Sequence, residues 1–283
     1  MYKLTVVILT YNEGIHIARA INNVKEITEK IIVLDSYSQD KTVEIAQSLG
    51  AEILFRQFDD YKNQRQYAID YCKPLTEWML FLDADEYLMD ALKQEIKNIV
   101  SKPQEVSGYY LCRRAIFMNR WIRHGDCYPT YLLRLFKPQV AIVSEIINEH
   151  VSVIGKIGKL HHDFVDQNLK TLVEWTDKHN RYTTLEAKRL FFDKTQKTKK
   201  FNLCVQAERK KWIRENCWNR LPVLLRPFLY FFYRYVVRMG FLDGKAGFIY
   251  HALQGWWLWF LVGAKFLEME KRTRDSEKFG NGL

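Results

Sequence analysis

Four short, nearly uninterrupted apolar runs near the start of the chain, Leu4 to Leu9, Ile31 to Leu34, Ile53 to Phe55 and Met79 to Leu82, are separated by stretches of helical length. Runs apolar on consecutive residues suit strands covered on both faces, because alternate side chains of a strand point to opposite sides. Between them, Asn12 can cap a helix through about Val24, and Asp40 or Thr42 can open another that ends before Gly50. Alternating strand and helix predicts an α/β fold with a doubly wound, mainly parallel sheet.

From Gly108 to Val153 the pattern becomes β-rich and aromatic, as in Gly108-Tyr-Tyr-Leu-Cys-Arg113 and Tyr131-Leu-Leu-Arg-Leu-Phe136, and such strands could extend the sheet. Beyond His161 the chain reads as helical and basic, with Lys197, Lys199, Lys200, Arg209, Lys210 and Lys211 preceding two aromatic segments, Leu221 to Phe241 and Tyr250 to Leu267. The expected organisation is a domain over residues 1–195 and a helical, aromatic-rich, basic region over 196–283. Arg226, Arg234, Arg238 and Lys265 interrupt the aromatic segments, so neither offers the roughly 20 apolar residues that cross a bilayer. Indoles beside cations suit the headgroup boundary, with a pair of core helices as the competing reading.

A formal net charge of +10 favours acidic partners: phosphorylated small molecules, anionic lipid or nucleic acid. Its location must choose among them. The five cysteines, Cys72, Cys112, Cys127, Cys204 and Cys217, form no CxxC pair, which argues against a disulfide framework or zinc ribbon and for a reducing cytoplasm. A strand-like run begins within a few residues of Met1, so no signal peptide is expected.

Chemistry concentrates where the apolar runs stop. Phe81-Leu-Asp-Ala-Asp-Glu86 ends a run in two acids one residue apart, which share a side if the strand continues. Ligands of open α/β sheets bind beyond the carboxyl ends of the strands, where Asp83 and Asp85 could hold a divalent ion already bound to phosphates. Taken alone, the pair is as readily two solvated acids in a turn. Val6-Val-Ile-Leu-Thr-Tyr-Asn-Glu13 and Val33-Leu-Asp-Ser-Tyr-Ser-Gln-Asp40 end likewise, and Asp35 would stand beside Thr10 and Asn12 if the strands are neighbours.

With these three strand ends in order, the sequence resembles the family 2 glycosyltransferases with a GT-A fold. Within them it is most similar to the bacterial lipopolysaccharide core β-glucosyltransferases, through Lys62-Asn-Gln-Arg-Gln-Tyr-Ala68, Tyr128-Pro-Thr-Tyr-Leu-Leu-Arg-Leu-Phe136 and Asn148-Glu-His150. The resemblance implies a UDP-sugar donor, with Thr10, Asn12 and Glu13 around the nucleoside, Asp35 receiving the uracil N–H and Arg65 near phosphate. It implies Asp83 at the ribose and metal, Asp85 on Mg²⁺ or Mn²⁺, and His161 as a residue that could reach the metal. Glu149 aligns with the family's catalytic base, and Trp121, Arg123 and Arg134 fall where an acceptor could dock. Thr130 departs from the acidic residue usual in the subgroup's Tyr-Pro-Asp, which bears on the acceptor. The implied reaction is inverting hexosyl transfer to a lipopolysaccharide core or other lipid-linked acceptor on the cytoplasmic face of a membrane, with no nucleic-acid partner. Two rivals remain: a nucleotidyltransferase, which typically opens with a glycine-rich loop absent from Thr10-Tyr-Asn-Glu13, and a basic membrane- or nucleic-acid-binding protein without catalysis.

Overall fold

Strand β1 (Tyr2–Thr10) shows why the opening residues form a central strand. Leu4, Val6 and Ile8 pack into one apolar cluster and Val7 into the other, so both faces are covered. Each such side chain contributes about 1.5–3 kcal/mol when fully buried. The computed structural model describes residues 1–143, 151–195 and 221–280.

The elements of the first unit follow in order: α1 (Ile17–Val24), β2 (Lys30–Asp35), α2 (Thr42–Ser48), β3 (Glu52–Phe55), α3 (Tyr61–Cys72), β4 (Thr76–Asp83), β5 (Glu86–Leu88) and α4 (Asp90–Val100). Then come β6 (Gly108–Phe117), β7 (Arg120–Trp121), β8 (Thr130–Phe136), β9 (Ala141–Val143), β10 (Val151–Val153) and β11 (Ile157–Gln167). The main sheet runs β3-β2-β1-β4-β8-β6-β11-β5, with β7 on β6, and β9 and β10 form a separate pair. β3, β2, β1 and β4 are parallel, as is β11 with β6, whereas β8 is antiparallel to both β4 and β6. The expected mixed, mostly parallel GT-A-like sheet is therefore present, and the β-rich stretch after Gly108 does extend it.

Three local expectations change. Asn12 does not cap α1: it has φ 53°, its side chain accepts from Gln39 N–H at 2.8 Å, and His16 occupies the N-cap position without a side-chain cap bond. β4 stops at Asp83, so Asp85 stands in a turn and strand alternation does not set its direction. The chain past His161 stays extended to Gln167 because Asp163–Gln167 pair with β6 and Phe164–Asp166 with β5, partners more than forty residues earlier.

Contacts divide the described chain into two units, residues 1–123 with 127–169, and 124–126 with 170–283. The contact boundary lies at Leu169/Lys170, ahead of the composition change near residue 195, because α5 (Leu172–Thr195) packs with the last helix of the chain. The later elements are α6 (Arg226–Phe232), a π-helical segment Tyr233–Val237, a 3₁₀ turn Gly240–Asp243, α7 (Gly244–His251), a second π segment Ala252–Trp257 and that last helix, α8 (Leu258–Gly280). Ala187, Val262 and Phe266 are buried where α5 meets α8. No helix among the described residues is long and apolar enough to cross a membrane. The basic run from Lys197 to Lys211, with Cys204 and Cys217, lies outside the described residues.

Candidate active site

The parallel register brings Thr10 opposite Asp35, and Leu9 opposite Asp83. Asp35 is fully buried, and its carboxylate accepts from the Thr10 hydroxyl at 2.8 Å, the Ser38 hydroxyl at 2.6 Å and the Ser38 N–H at 2.7 Å. Asn12 N–H in turn donates to the Ser38 hydroxyl at 2.8 Å. A buried carboxylate is retained only where donors replace its water, so Asp35 ties the loop after β1 to the loop after β2.

Glu13 faces inward as well. Its N–H donates to the Thr42 hydroxyl at 2.7 Å, and its carboxylate meets His16 Nδ1 at 2.6 Å. His16 is buried, and its Nε2 accepts from Leu169 N–H at 2.8 Å. Because Nε2 is an acceptor, the ring proton sits on Nδ1 and is donated to Glu13, so the imidazole is neutral. Glu13 thus anchors the end of β11 through His16.

The acidic turn after β4 contains two different carboxylates. Asp83 is held by two guanidiniums, Arg65 Nη2 at 3.1 Å and Arg134 Nη2 at 2.9 Å. Arg65 is buried at 8% exposure, so it is not a solvated helix arginine, and its guanidinium lies over the Phe81 ring. Arg134, expected on the acceptor side, instead reaches the same turn from β8 and also donates to Glu86 at 2.6 Å. Burial pushes the Glu86 carboxyl upward and Arg134 opposes that shift. Asp85 accepts from Asn168 Nδ2 at 3.1 Å through Oδ2, and its Oδ1 has no hydrogen-bond partner among the described residues.

Three residues not singled out from the sequence complete this strand end. Arg19 of α1 donates to Asp85 O at 3.0 Å and to Gln167 O at 2.7 Å, pinning the turn to β11. Asn168 reaches Asp85, and Asp166 lies close enough that burial first, then the Asp85 charge, raise its carboxyl above the ordinary range. Arg113 partly offsets this at 3.3 Å. An arginine on an amphipathic helix and an acid late in a strand give no local sign of such a role.

His161 is exposed on β11, and its N–H donates to Glu95 of α4 at 3.0 Å. It lies where β11 shifts register against β6 between Lys159 and Asp163, and the carboxylate it meets there is Glu95 and not Asp85. Trp121 lies edge-on to Tyr128, with Arg114 at 4.5 Å and Arg123 at 5.4 Å from its ring centre. Arg114 and the Tyr128 hydroxyl both bind the buried Asp163. Glu149 and its neighbours Asn148 and His150 lie outside the described residues.

Among the described residues no three His, Cys, Asp or Glu side chains stand together as a metal cage. Asp85 offers an unclaimed carboxylate oxygen beside a second acid, a donor set that suits a hard divalent cation completed by phosphate oxygens. It also sets an expected stability result. Arg134→Met leaves Glu86 buried without its cation and should cost about 3–5 kcal/mol in urea unfolding; a loss below about 1 kcal/mol would show that the pair is not a structural requirement.

The family model described as Glycosyl transferase family 2 matches residues 5–145. An uncharacterized glycosyltransferase of Rickettsia typhi is 30% identical over 214 residues, covering 71% of each chain. The lipopolysaccharide core biosynthesis glycosyltransferase LpsC of Rhizobium meliloti is 24% identical over 193 residues, 65% of this chain and 70% of that one. Among solved structures, the mannosyltransferase PcManGT of Pyrobaculum calidifontis in complex with GDP-Man and Mn²⁺ shares 13% identity over 94% of this chain and 87% of its own, with a TM-score of 0.49.

Proposed function

This chain belongs to glycosyl transferase family 2, and from that premise we propose that it is an inverting hexosyltransferase using a UDP-sugar and a divalent ion. The observation that carries the reading is Asp85, whose Oδ1 is unclaimed at the carboxyl end of the parallel strands beside the loops tied together by Asp35. Ligands of open α/β sheets lie at that edge.

The nucleoside is placed against the loops after β1 and β2. Thr10, Asn12 and Glu13 shape that cradle from within, and Asp35, through its remaining lone pairs, accepts the uracil N–H once the loop admits the ring. Asp85 would hold Mg²⁺ or Mn²⁺, with Asp83 next to it but balanced by Arg65 and Arg134. When bound, the ion neutralises charge growing on the leaving diphosphate. Arg65 orients Asp83 and thereby the ribose edge of the site.

On the acceptor side, Trp121 between Arg114 and Arg123 offers a stacking face with cationic flanks, suited to a sugar or phosphate-bearing sugar. Glu149 removes the proton of the acceptor hydroxyl as its oxygen bonds to the anomeric carbon and the bond to the diphosphate breaks. A single displacement inverts the centre and needs one such base, unlike the pair of acids of a retaining glycosidase. The acceptor is a lipopolysaccharide core or other lipid-linked glycan at the cytoplasmic face of a membrane. The likeness to the Rhizobium core-biosynthesis enzyme supports that class.

The reading is tested by thermal unfolding with nucleoside diphosphates. UDP at about 100 times its Kd should stabilise by about 2.7 kcal/mol with Mn²⁺ present, and EDTA should remove the gain. A parallel screen of UDP-sugars should find one that is slowly hydrolysed in a metal-dependent manner. No stabilisation by any nucleoside diphosphate with metal, and no hydrolysis, would overturn the proposal.

A further inference from the structure

A surface helix in water ordinarily turns its apolar residues inward. The segment Leu225–Val237 of the second unit does the reverse. Arg234 is buried at 8% exposure, whereas Leu225, Phe228, Leu229, Phe232, Val236 and Val237 are 40–57% exposed. The exposed positions follow helical spacing and form a stripe. Arg234 fixes the rotation: its Nε donates to Gly125 O at 2.9 Å, and its guanidinium lies between the rings of Tyr230 and Tyr250 at 5.5 and 5.8 Å. Rolling the stripe inward would expel an arginine that is already satisfied.

The same unit continues the apolar surface. Met239, Phe241, Leu242 and Phe248 are exposed, and a shallow cleft of about 340 Å³ is lined by Tyr235, Phe241, Phe248 and Ile249 with Lys245 at its edge. Contiguous exposed apolar surface of this kind marks an interaction site. Charge identifies the occupant. From Leu221 to Lys265 the sequence carries Arg226, Arg234, Arg238, Lys245 and Lys265 against one acid, Asp243. That acid is buried and bonded to His124 Nδ1 at 2.7 Å; Arg234 is buried too and Arg238 pairs with Asp126 at 2.7 Å, which leaves the exposed Lys245 as the cation that faces outward beside the cleft. Lys245 has no ion-pair partner among the described residues.

We infer that the stripe Leu225–Val237, with the Lys245 cleft, is a docking face for an anionic phospholipid bilayer, lying in the headgroup boundary with Phe228 and Phe232 as anchors. A helix in that plane buries apolar side chains to the acyl boundary while cations meet lipid phosphate. No described helix can span, which matches lying on the surface. A second copy of this chain fits less well, since a two-fold contact would set the same cationic rim against itself. The inference does not depend on the transfer reaction, because none of these residues belongs to the strand-end cluster.

The test uses the full chain with vesicles of phosphatidylcholine alone or mixed with phosphatidylglycerol, alongside sedimentation without lipid. Wild type should partition to the mixed vesicles, and added salt should weaken that binding. F228S/F232S should lose at least about tenfold in partitioning and K245E roughly fivefold or more, both with unchanged melting temperature and far-UV dichroism. Indifference of wild type to phosphatidylglycerol would overturn the inference, as would folded F228S/F232S and K245E partitioning like wild type. Self-association without lipid that F228S/F232S abolishes, together with no vesicle binding, would assign the face to a second copy instead.

Discussion

Glu149→Gln should lower acceptor-dependent turnover by roughly 10²- to 10⁴-fold while UDP affinity stays within a few-fold of wild type. Glutamine keeps the shape and hydrogen-bonding reach of the side chain but cannot take a proton at neutral pH. General base catalysis acts on the acceptor hydroxyl in the transition state, so its loss appears in turnover and not in donor binding. Turnover at saturating UDP-sugar and Mn²⁺, with a UDP titration on the same preparations, separates the two. Loss of both would indicate a damaged site, and turnover within about threefold of wild type would sink the assignment. Asp166 would then be the next carboxylate to replace, since it lies beside Asp85 with its carboxyl raised by burial and by that neighbour.

Asp85→Ala should remove the benefit of Mn²⁺ for UDP binding and lower transfer by about 10²- to 10⁴-fold, the several kcal/mol that a metal ion supplies to a developing anion. Folding should not suffer. Asp85 raises the Asp166 carboxyl, and above the ordinary carboxylate range the unfolded chain has both groups ionised at no mutual cost. Removing Asp85 therefore leaves the metal-free protein as stable as before or slightly more so. Asp83 differs, because its loss strips a partner from Arg65 and Arg134. Calorimetric titration of UDP with and without Mn²⁺ decides the matter, and an unchanged metal dependence in Asp85→Ala would mean that the ion is held elsewhere.

These variants separate roles that look alike in sequence. Asp83 and Asp85 both follow one apolar run, yet one is neutralised by two arginines and the other retains an unclaimed oxygen. Glu13 and Asp35, which read as ligand-facing polar residues at strand ends, are buried and hold the loops together. The effect of Glu13 on nucleotide binding is therefore expected through the shape of the cradle, and that of Asp35 through the cradle together with the acceptor it offers the uracil N–H.

The sequence by itself determined the parallel half of the sheet and the end at which its chemistry collects. A run apolar on consecutive residues can be satisfied only between two covered faces, and the polar residues that stop it must reach solvent or one another at the strand's carboxyl end. Those are local constraints, so Thr10, Asp35 and Asp83 could each be set at the carboxyl end of its strand, and Asp35 beside Thr10 on condition that the strands are neighbours, which the register meets. Only the tertiary structure decided which distant residues join them. Arg134 enters because β8 inserts antiparallel between β4 and β6, and Asp166 and Asn168 enter because β11 pairs with β5 next to the acidic turn. His161 is left out by the same pairing, which carries its part of β11 back toward α4. Strand pairing across long separations sets these positions, and no periodicity within a strand encodes its neighbour. The outward stripe of α6 has the same origin: its residues suit a headgroup boundary or a core helix alike in sequence, and the buried Arg234, held by Gly125 O and two tyrosine rings, fixes which side of the helix faces in.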